Sequence, residues 1–272
     1  MKSKIAEAIR MKYSPVALIW ADEKPDNALE MAQGKWGCIM SLVSAAAKGR
    51  VAVTSRETCG CNGGYVGMGF GDKYAEFPGG IEQFLSTGHP ELAETEEGRK
   101  LLETRPDMAL GERYVKTPEL ARKFVDTLGV MDIPAKYVVF KPVEMLQEGE
   151  DAKSVILLVN PDQLSALVVL ANYARETADN VAVPMGAGCH QMGILVYREI
   201  DSPSPKAIIG LTDLSARKIT NRALGSDIMS FSVPFQMFLE MESNVEGSFL
   251  QRDTWKEVME ISLPKSPASK SS

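Results

Sequence analysis

Two stretches of this chain run through the same series of elements, and that repetition constrains the fold most. Val16-Ala17-Leu18-Ile19-Trp20 is an apolar run of strand length; a helix containing Leu42-Val43 follows, then Val51-Ala52-Val53, then Cys59. Later, Val155–Val159, a helix containing Leu167-Val168, Val181-Ala182-Val183 and Cys189 repeat the order. In both series the cysteine stands six residues beyond the last valine of the Val-Ala-Val triplet. Short continuous apolar runs bounded by turn residues are the signature of buried strands. The expected fold is therefore α/β: two degenerate β-α-β halves in a mixed sheet, with a helical insertion between them. The N-terminal half is expected over 1–90, the insertion over 91–131 and the C-terminal half over 132–262, all within one domain. In open α/β sheets, sites form at strand C-terminal ends, and each half sends its cysteine loop from a strand end.

The remaining pattern fills in this frame. Residues 3–12 place Ile5, Ala8 and Ile9 on one helical stripe. A helix is expected over 38–48 and stops at Gly49, as C-terminal glycines commonly dictate. Glu91–Thr104 and Pro118–Leu128 are helical, the second with Thr117 as cap and Pro118 in its first turn. Strands are expected at Tyr137–Pro142, Ile194–Tyr197, Ala207–Leu211 and Met229–Val233, and helices over 162–174 and after Pro234. The last helix breaks near Asn244–Ser248 and resumes through Trp255–Ile261. Tyr65–Gly71 reads as a glycine-rich close-approach loop. Residues 263–272, rich in Pro, Ser and Lys, read as a disordered tail.

Several function classes are disfavoured at once. A net charge of -6 without a Lys/Arg cluster argues against nucleic-acid binding, which requires a basic face. No apolar run reaches the roughly 18–20 residues of a membrane span, and the N-terminus lacks a signal-peptide pattern. A cytoplasmic protein with neither membrane nor nucleic acid as partner is expected. Neither a P-loop, a dinucleotide fingerprint nor a nucleophile elbow is present. With 2 histidines, a multi-histidine metal site is excluded.

The 4 cysteines carry what special chemistry remains. Each has glycine adjacent or one residue away: Gly37-Cys38, Cys59-Gly60-Cys61 and Gly188-Cys189. Glycine lets backbone approach a bulky group and supplies N–H donors to it. The spacing is neither the paired knuckle of structural zinc nor the ferredoxin run. An iron–sulfur cluster is wide and accepts thiolates from separated loops. The expectation is one cluster, preferentially 4Fe-4S, held by Cys38, Cys59, Cys61 and Cys189, with zinc as the alternative metal. His190, Arg217, Gly60 and Gly188 are expected beside the ligands or substrate. Such a protein transfers electrons or assists a redox pathway, with a redox protein or a small molecule as partner. Whether it is an enzyme and whether it self-associates stay open. Three ligands would leave an open iron to act on a small hydroxy- or carboxylate substrate, as in a lyase. The competing readings are a small-molecule-binding or regulatory protein with structural cysteines, and a thiol switch at Cys59/Cys61. Asp213 with Arg217, and Arg56 with Glu57, are candidate ion pairs. His89 reads as a turn residue.

The order of short motifs resembles the Domain of Unknown Function 169 family, a prokaryotic group associated with anaerobes and archaea. The resembling elements are Ser14-Pro15-Val16-Ala17-Leu18, Cys38 at a helix start, the Cys59 glycine-rich segment, Asn160-Pro161-Asp162-Gln163, Gly188-Cys189, Leu211-x-Asp213-x-x-x-Arg217 and Ser232-Val233-Pro234. They extend from residue 14 to about 240. The resemblance implies no established reaction; it draws attention to Cys38, Cys59 and Cys189, and leaves Cys61 and His190 unmatched.

Overall fold

The computed structural model describes residues 1–262, so the expected tail at 263–272 lies outside the described residues. The strands are β1 (Val16–Ala21), β2 (Ala52–Ser55), β3 (Tyr137–Pro142), β4 (Ala152–Val159), β5 (Val181–Ala182), β6 (Ala207–Gly210) and β7 (Met229–Pro234). They form a seven-stranded sheet in the order β2-β3-β1-β4-β7-β6-β5. Only the β5·β6 pair is parallel. The class is mixed α/β.

The repeat takes a different form from the one the triplets suggest. β2 pairs antiparallel with β3 at one sheet edge, whereas β5 pairs parallel with β6 at the other. The two Val-Ala-Val triplets thus occupy unlike positions. The strand matching β2 is β6: β2-β3-β1 and β6-β7-β4 agree in order and sense. Five successive antiparallel steps also leave β2 and β6 pointing in opposite directions, so the sheet has no shared C-terminal edge for a site.

The helices are α1 (Lys4–Ala8), α2 (Ile39–Ala47), α3 (Asn62–Gly67), α4 (Ile81–Leu85), α5 (Glu96–Thr104), α6 (Asp107–Leu110), α7 (Pro118–Leu128), α8 (Pro161–Asn172), α9 (Gly188–Met192), α10 (Ile194–Tyr197), α11 (Leu214–Ala223), α12 (Phe235–Ser243) and α13 (Asp253–Ser262). Among the described residues, no helix is long and apolar enough to cross a membrane. Local chemistry accounts for the well-defined starts. Asn160 Oδ1 accepts from Gln163 N at 2.9 Å while Gln163 Oε1 accepts from Asn160 N at 3.0 Å. This reciprocal cap, with Pro161 in the first turn, starts α8 and contributes about 1 kcal/mol. Thr117 and Thr95 cap α7 and α5 one-sidedly, each hydroxyl accepting from a backbone N–H, of Leu120 and Gly98.

Both faces of the sheet are covered. Ala17, Val155, Leu157, Phe231 and Val233 pack under α1, α8, α12 and α13, with Ile5, Leu167, Phe238 and Trp255. The alternate residues Val16, Leu18, Ile156 and Leu158 pack under α2, α9, α10 and α11, with Val43, Met192 and Tyr197. A strand segment buried on both faces favours apolar residues at successive positions, which is why Val155–Val159 of β4 is an unbroken apolar run. Each fully buried Val, Leu or Ile contributes roughly 1.5–3 kcal/mol relative to exposure.

Two expected elements differ. Ile194–Tyr197 is α10, not a strand: four apolar residues carry no period to separate the two, and packing against the sheet face decides. Ile194, Val196 and Tyr197 are buried there, with Tyr197 edge-on to Trp20 at 5.1 Å between ring centroids. The first part of Tyr65–Gly71, expected as a loop, belongs to helix α3, closed by Tyr65 N donating to Cys61 O at 2.8 Å and Met68 N to Gly64 O at 2.9 Å.

Candidate functional site

Three of the four cysteines stand at helix starts. Cys38 is the residue before α2 and Cys61 the residue before α3, both extended and neither bonding the helix with its side chain. Cys189 is the second residue of α9. Cys59 lies past β2 in a tight turn, where its N–H donates to Ser55 O at 3.0 Å. That turn is locked by Ser55 N donating to Thr58 Oγ1 at 3.0 Å and by Thr58 Oγ1 donating to Glu30 Oε1 at 3.1 Å.

Glycine brings these segments together. A Cβ on Gly67 would lie 2.8 Å from Cys189 C and His190 N, and one on Gly193 would lie 2.0 Å from Gly67 O. The α3 and α9 backbones therefore touch, which carries Cys189 across 126 positions to within 3.0 Å of Gly63 O, to which its thiol donates. Gly64 makes room for Cys59, whose Sγ would be 3.3 Å from an added Cβ. Gly60 and Gly188 serve packing as well: Gly60 faces Lys35 O at 2.3 Å from an added Cβ, and Gly188 faces Ala216 and Leu211. The site lies over the sheet face, within the layer of α2, α3, α9 and α11.

Ionisation of Cys38, Cys59 and Cys189 is opposed. Burial pushes the Cys38 thiol up to about 11 and the Cys59 thiol up to about 12, and raises Cys189 well above its ordinary value. The sulfurs also act on one another: Cys61 raises the other three, and Cys38 and Cys59 both raise Cys189. Asp213 raises Cys38 and Cys189 further, while Lys73 favours the Cys59 thiolate. The Thr54 hydroxyl is fully buried without a hydrogen-bond partner of standard geometry. It faces the Cys59 sulfur and favours its ionised form. Among the described residues, no three Cys, His, Asp or Glu side chains are grouped to hold a single metal ion.

The other expected site residues divide. His190 is fully buried, with Nδ1 3.8 Å from Cys189 Sγ and Nε2 2.8 Å from Tyr74 Oη. Burial pulls its pKa down to about 4, so it is neutral. Arg217 forms no ion pair with Asp213. Its guanidinium donates to Ser226 O at 2.6 Å and Ile228 O at 3.1 Å, holding the turn between α11 and β7. Asp213 instead caps α11, accepting from Ser215 N at 2.9 Å. Arg56 pairs with Asp132 at 2.6 Å rather than with Glu57. His89 pairs with Glu91 at 2.6 Å, in the turn role expected of it. Thr54 and Tyr74 are the neighbours that sequence reasoning missed. Thr54 follows the Val-Ala-Val triplet and was legible only as a strand residue; Tyr74 lies 116 positions from His190 with no local signal. Tyr74 also lines a cleft of about 400 Å³ with Asp72, Ile81, Arg122 and Asp126.

No curated protein and no solved structure matches the chain. One family profile, described as "Uncharacterised ArCR", matches residues 4–244 and so takes in α1 to α12, the sheet and all four cysteines. The chain belongs to the Domain of Unknown Function 169 (DUF169) family.

Proposed function

We propose that this chain is an iron–sulfur protein, with one cluster, preferentially 4Fe-4S, held by Cys38, Cys59, Cys61 and Cys189. The observation that carries the reading is that Cys59 and Cys61 lie against Gly64 and Cys189 against Gly63, with Cys38 near enough to act on the charge of Cys189, although of the four only Cys59 is fully buried. Burial holds Cys38, Cys59 and Cys189 as neutral thiols, so a metal that takes them as thiolates would release their protons. A single zinc ion draws its sulfurs to about 3.8 Å apart, as bond lengths of roughly 2.3 Å require.

Such a cluster would supply one-electron chemistry when bound. The residues of this chain then have separable tasks. The Thr54 hydroxyl, without a partner of standard geometry, would be available to donate to the Cys59 sulfur, and Cys38 and Cys61 stand immediately before α2 and α3. The apolar layer around Met40, Met68 and Met192 would exclude water from a bound cluster and so influence its potential. The partner is a redox protein or a small molecule, and the setting a cytoplasmic one.

The deciding experiment is anaerobic purification followed by an absorbance spectrum and assays for iron, zinc and sulfide. A brown protein with about four iron and four sulfide per chain supports 4Fe-4S. A colourless, metal-free chain removes the cluster and leaves structural cysteines; zinc alone converts the site to a structural one.

A further inference from the structure

Tyr74, His190, Cys189 and Gly63 form an unbroken file of polar contacts. Tyr74 Oη is 2.8 Å from His190 Nε2, and the two ring planes are parallel within 3°. His190 Nδ1 is 3.8 Å from Cys189 Sγ, and that sulfur is 3.0 Å from Gly63 O. The ring is fully buried, and among the described residues no carboxylate bonds to it.

A neutral imidazole has one donor and one acceptor, so the file has a direction. With the proton on Nδ1, every group donates once: Tyr74 O–H to Nε2, Nδ1–H to Sγ, and S–H to the Gly63 carbonyl. With the proton on Nε2, the Tyr74 hydroxyl loses its acceptor. The thiol proton must then choose between Nδ1 and Gly63 O, and one of them goes without. A buried donor or acceptor left unmatched costs about 1–3 kcal/mol, enough to select the first arrangement. Ionisation of Cys189 sharpens the preference, because an Nε2–H ring would aim a lone pair at a thiolate.

We propose that His190 is a positioning residue: held as the Nδ1–H tautomer by the Tyr74 hydroxyl, it donates a hydrogen bond to the Cys189 sulfur. The tautomer follows from geometry alone; the consequence for a metal ligand rests on the cluster reading above. Hydrogen bonds to ligating sulfur stabilise the electron-rich reduced state and raise the cluster potential. Second-shell donors of this kind also orient the ligand they touch.

The tautomer is read directly by long-range ¹H–¹⁵N correlation on the full-length, metal-free, ¹⁵N-histidine-labelled chain at neutral pH. The chain has 2 histidines, so His89→Gln assigns the spectrum. The expected result is a neutral His190 ring protonated at Nδ1. An Nε2–H ring, or a charged one, overturns the proposal. In Tyr74→Phe, the Nε2 resonance should move toward that of an unbonded pyridine-type nitrogen; an unchanged resonance removes Tyr74 from the file. In iron-loaded protein, His190→Leu should have a lower midpoint potential than His190→Asn, whose amide keeps an N–H near the Nδ1 position. Equal potentials in those two variants refute donation to the ligand. Should the chain take up no iron, the cluster reading falls, while the tautomer measurement still decides the hydrogen-bond file.

Discussion

Gly67 presses its Cα against the peptide joining Cys189 to His190, so closely that an added Cβ would sit 2.8 Å from its atoms. Helix α3 and helix α9 meet backbone to backbone at this point, and the position of Cys189 beside Gly63 depends on it. Gly67→Ala should therefore lower stability by about 1–3 kcal/mol, as overpacking does. Gly63→Ala, with nothing within 4 Å of the new Cβ, should be neutral or stabilising by about 0.5–1 kcal/mol. Thermal unfolding of the two variants checks this; equal gains would mean that helix propensity, not close approach, governs α3.

Thr54→Val should have opposite effects on the two forms of the protein. In the metal-free chain it removes a buried hydroxyl without a standard partner, and stability should rise by up to about 1 kcal/mol. In the loaded chain it removes the donor facing Cys59, and iron should be lost faster to a chelator. Unfolding curves and chelation rates measure the two effects separately.

Alkaline pH should destabilise the metal-free fold. Cys38 and Cys59 titrate near 9 when unfolded but are pushed by burial to about 11 and about 12 when folded. Between those values the folded chain holds more protons than the unfolded one, so stability falls as pH rises. The contribution is complete below pH 9 and disappears through pH 11–12. Urea unfolding at pH 8 and 10.5 should show the loss, and Cys59→Ser should flatten the slope.

Arg217→Met should destabilise the chain by about 1–3 kcal/mol, because the Ser226 and Ile228 carbonyls lose their donor. Iron content per folded chain should stay unchanged. A variant of normal stability that lacks iron or partner binding would return Arg217 to the site, as its sequence position first suggested.

Much of this architecture is determined locally. The Asn160-Pro161-Asp162-Gln163 cap, the Thr117-Pro118 start and the doubly apolar run of β4 lie within a few residues of the elements they produce, and they were legible. The Cys38 position at a helix start was legible for the same reason. The matching of β6, rather than β5, to β2 was not, because strand pairing is a long-range choice that a triplet does not encode. Ile194–Tyr197 has no period, so its packing against Trp20 and the sheet chose helix. The Asp213-Leu214-Ser215 start of α11 carried a readable cap signal that an ion-pair reading with Arg217 obscured.

What the sequence by itself determined is the inventory: apolar runs long enough for a covered sheet, caps that start helices, and four cysteines flanked by glycine. What the tertiary structure decided is the use of those glycines and the company of those thiols. Read locally, Gly64, Gly67 and Gly193 announce a flexible loop; folded, they remove the side chains that would hold α3 and α9 apart. Cys189 reaches the Cys59–Cys61 segment, and Tyr74 reaches His190, only because two backbones separated by more than a hundred positions can then touch. Steric contact of that kind belongs to pairs of segments, and no single segment records it.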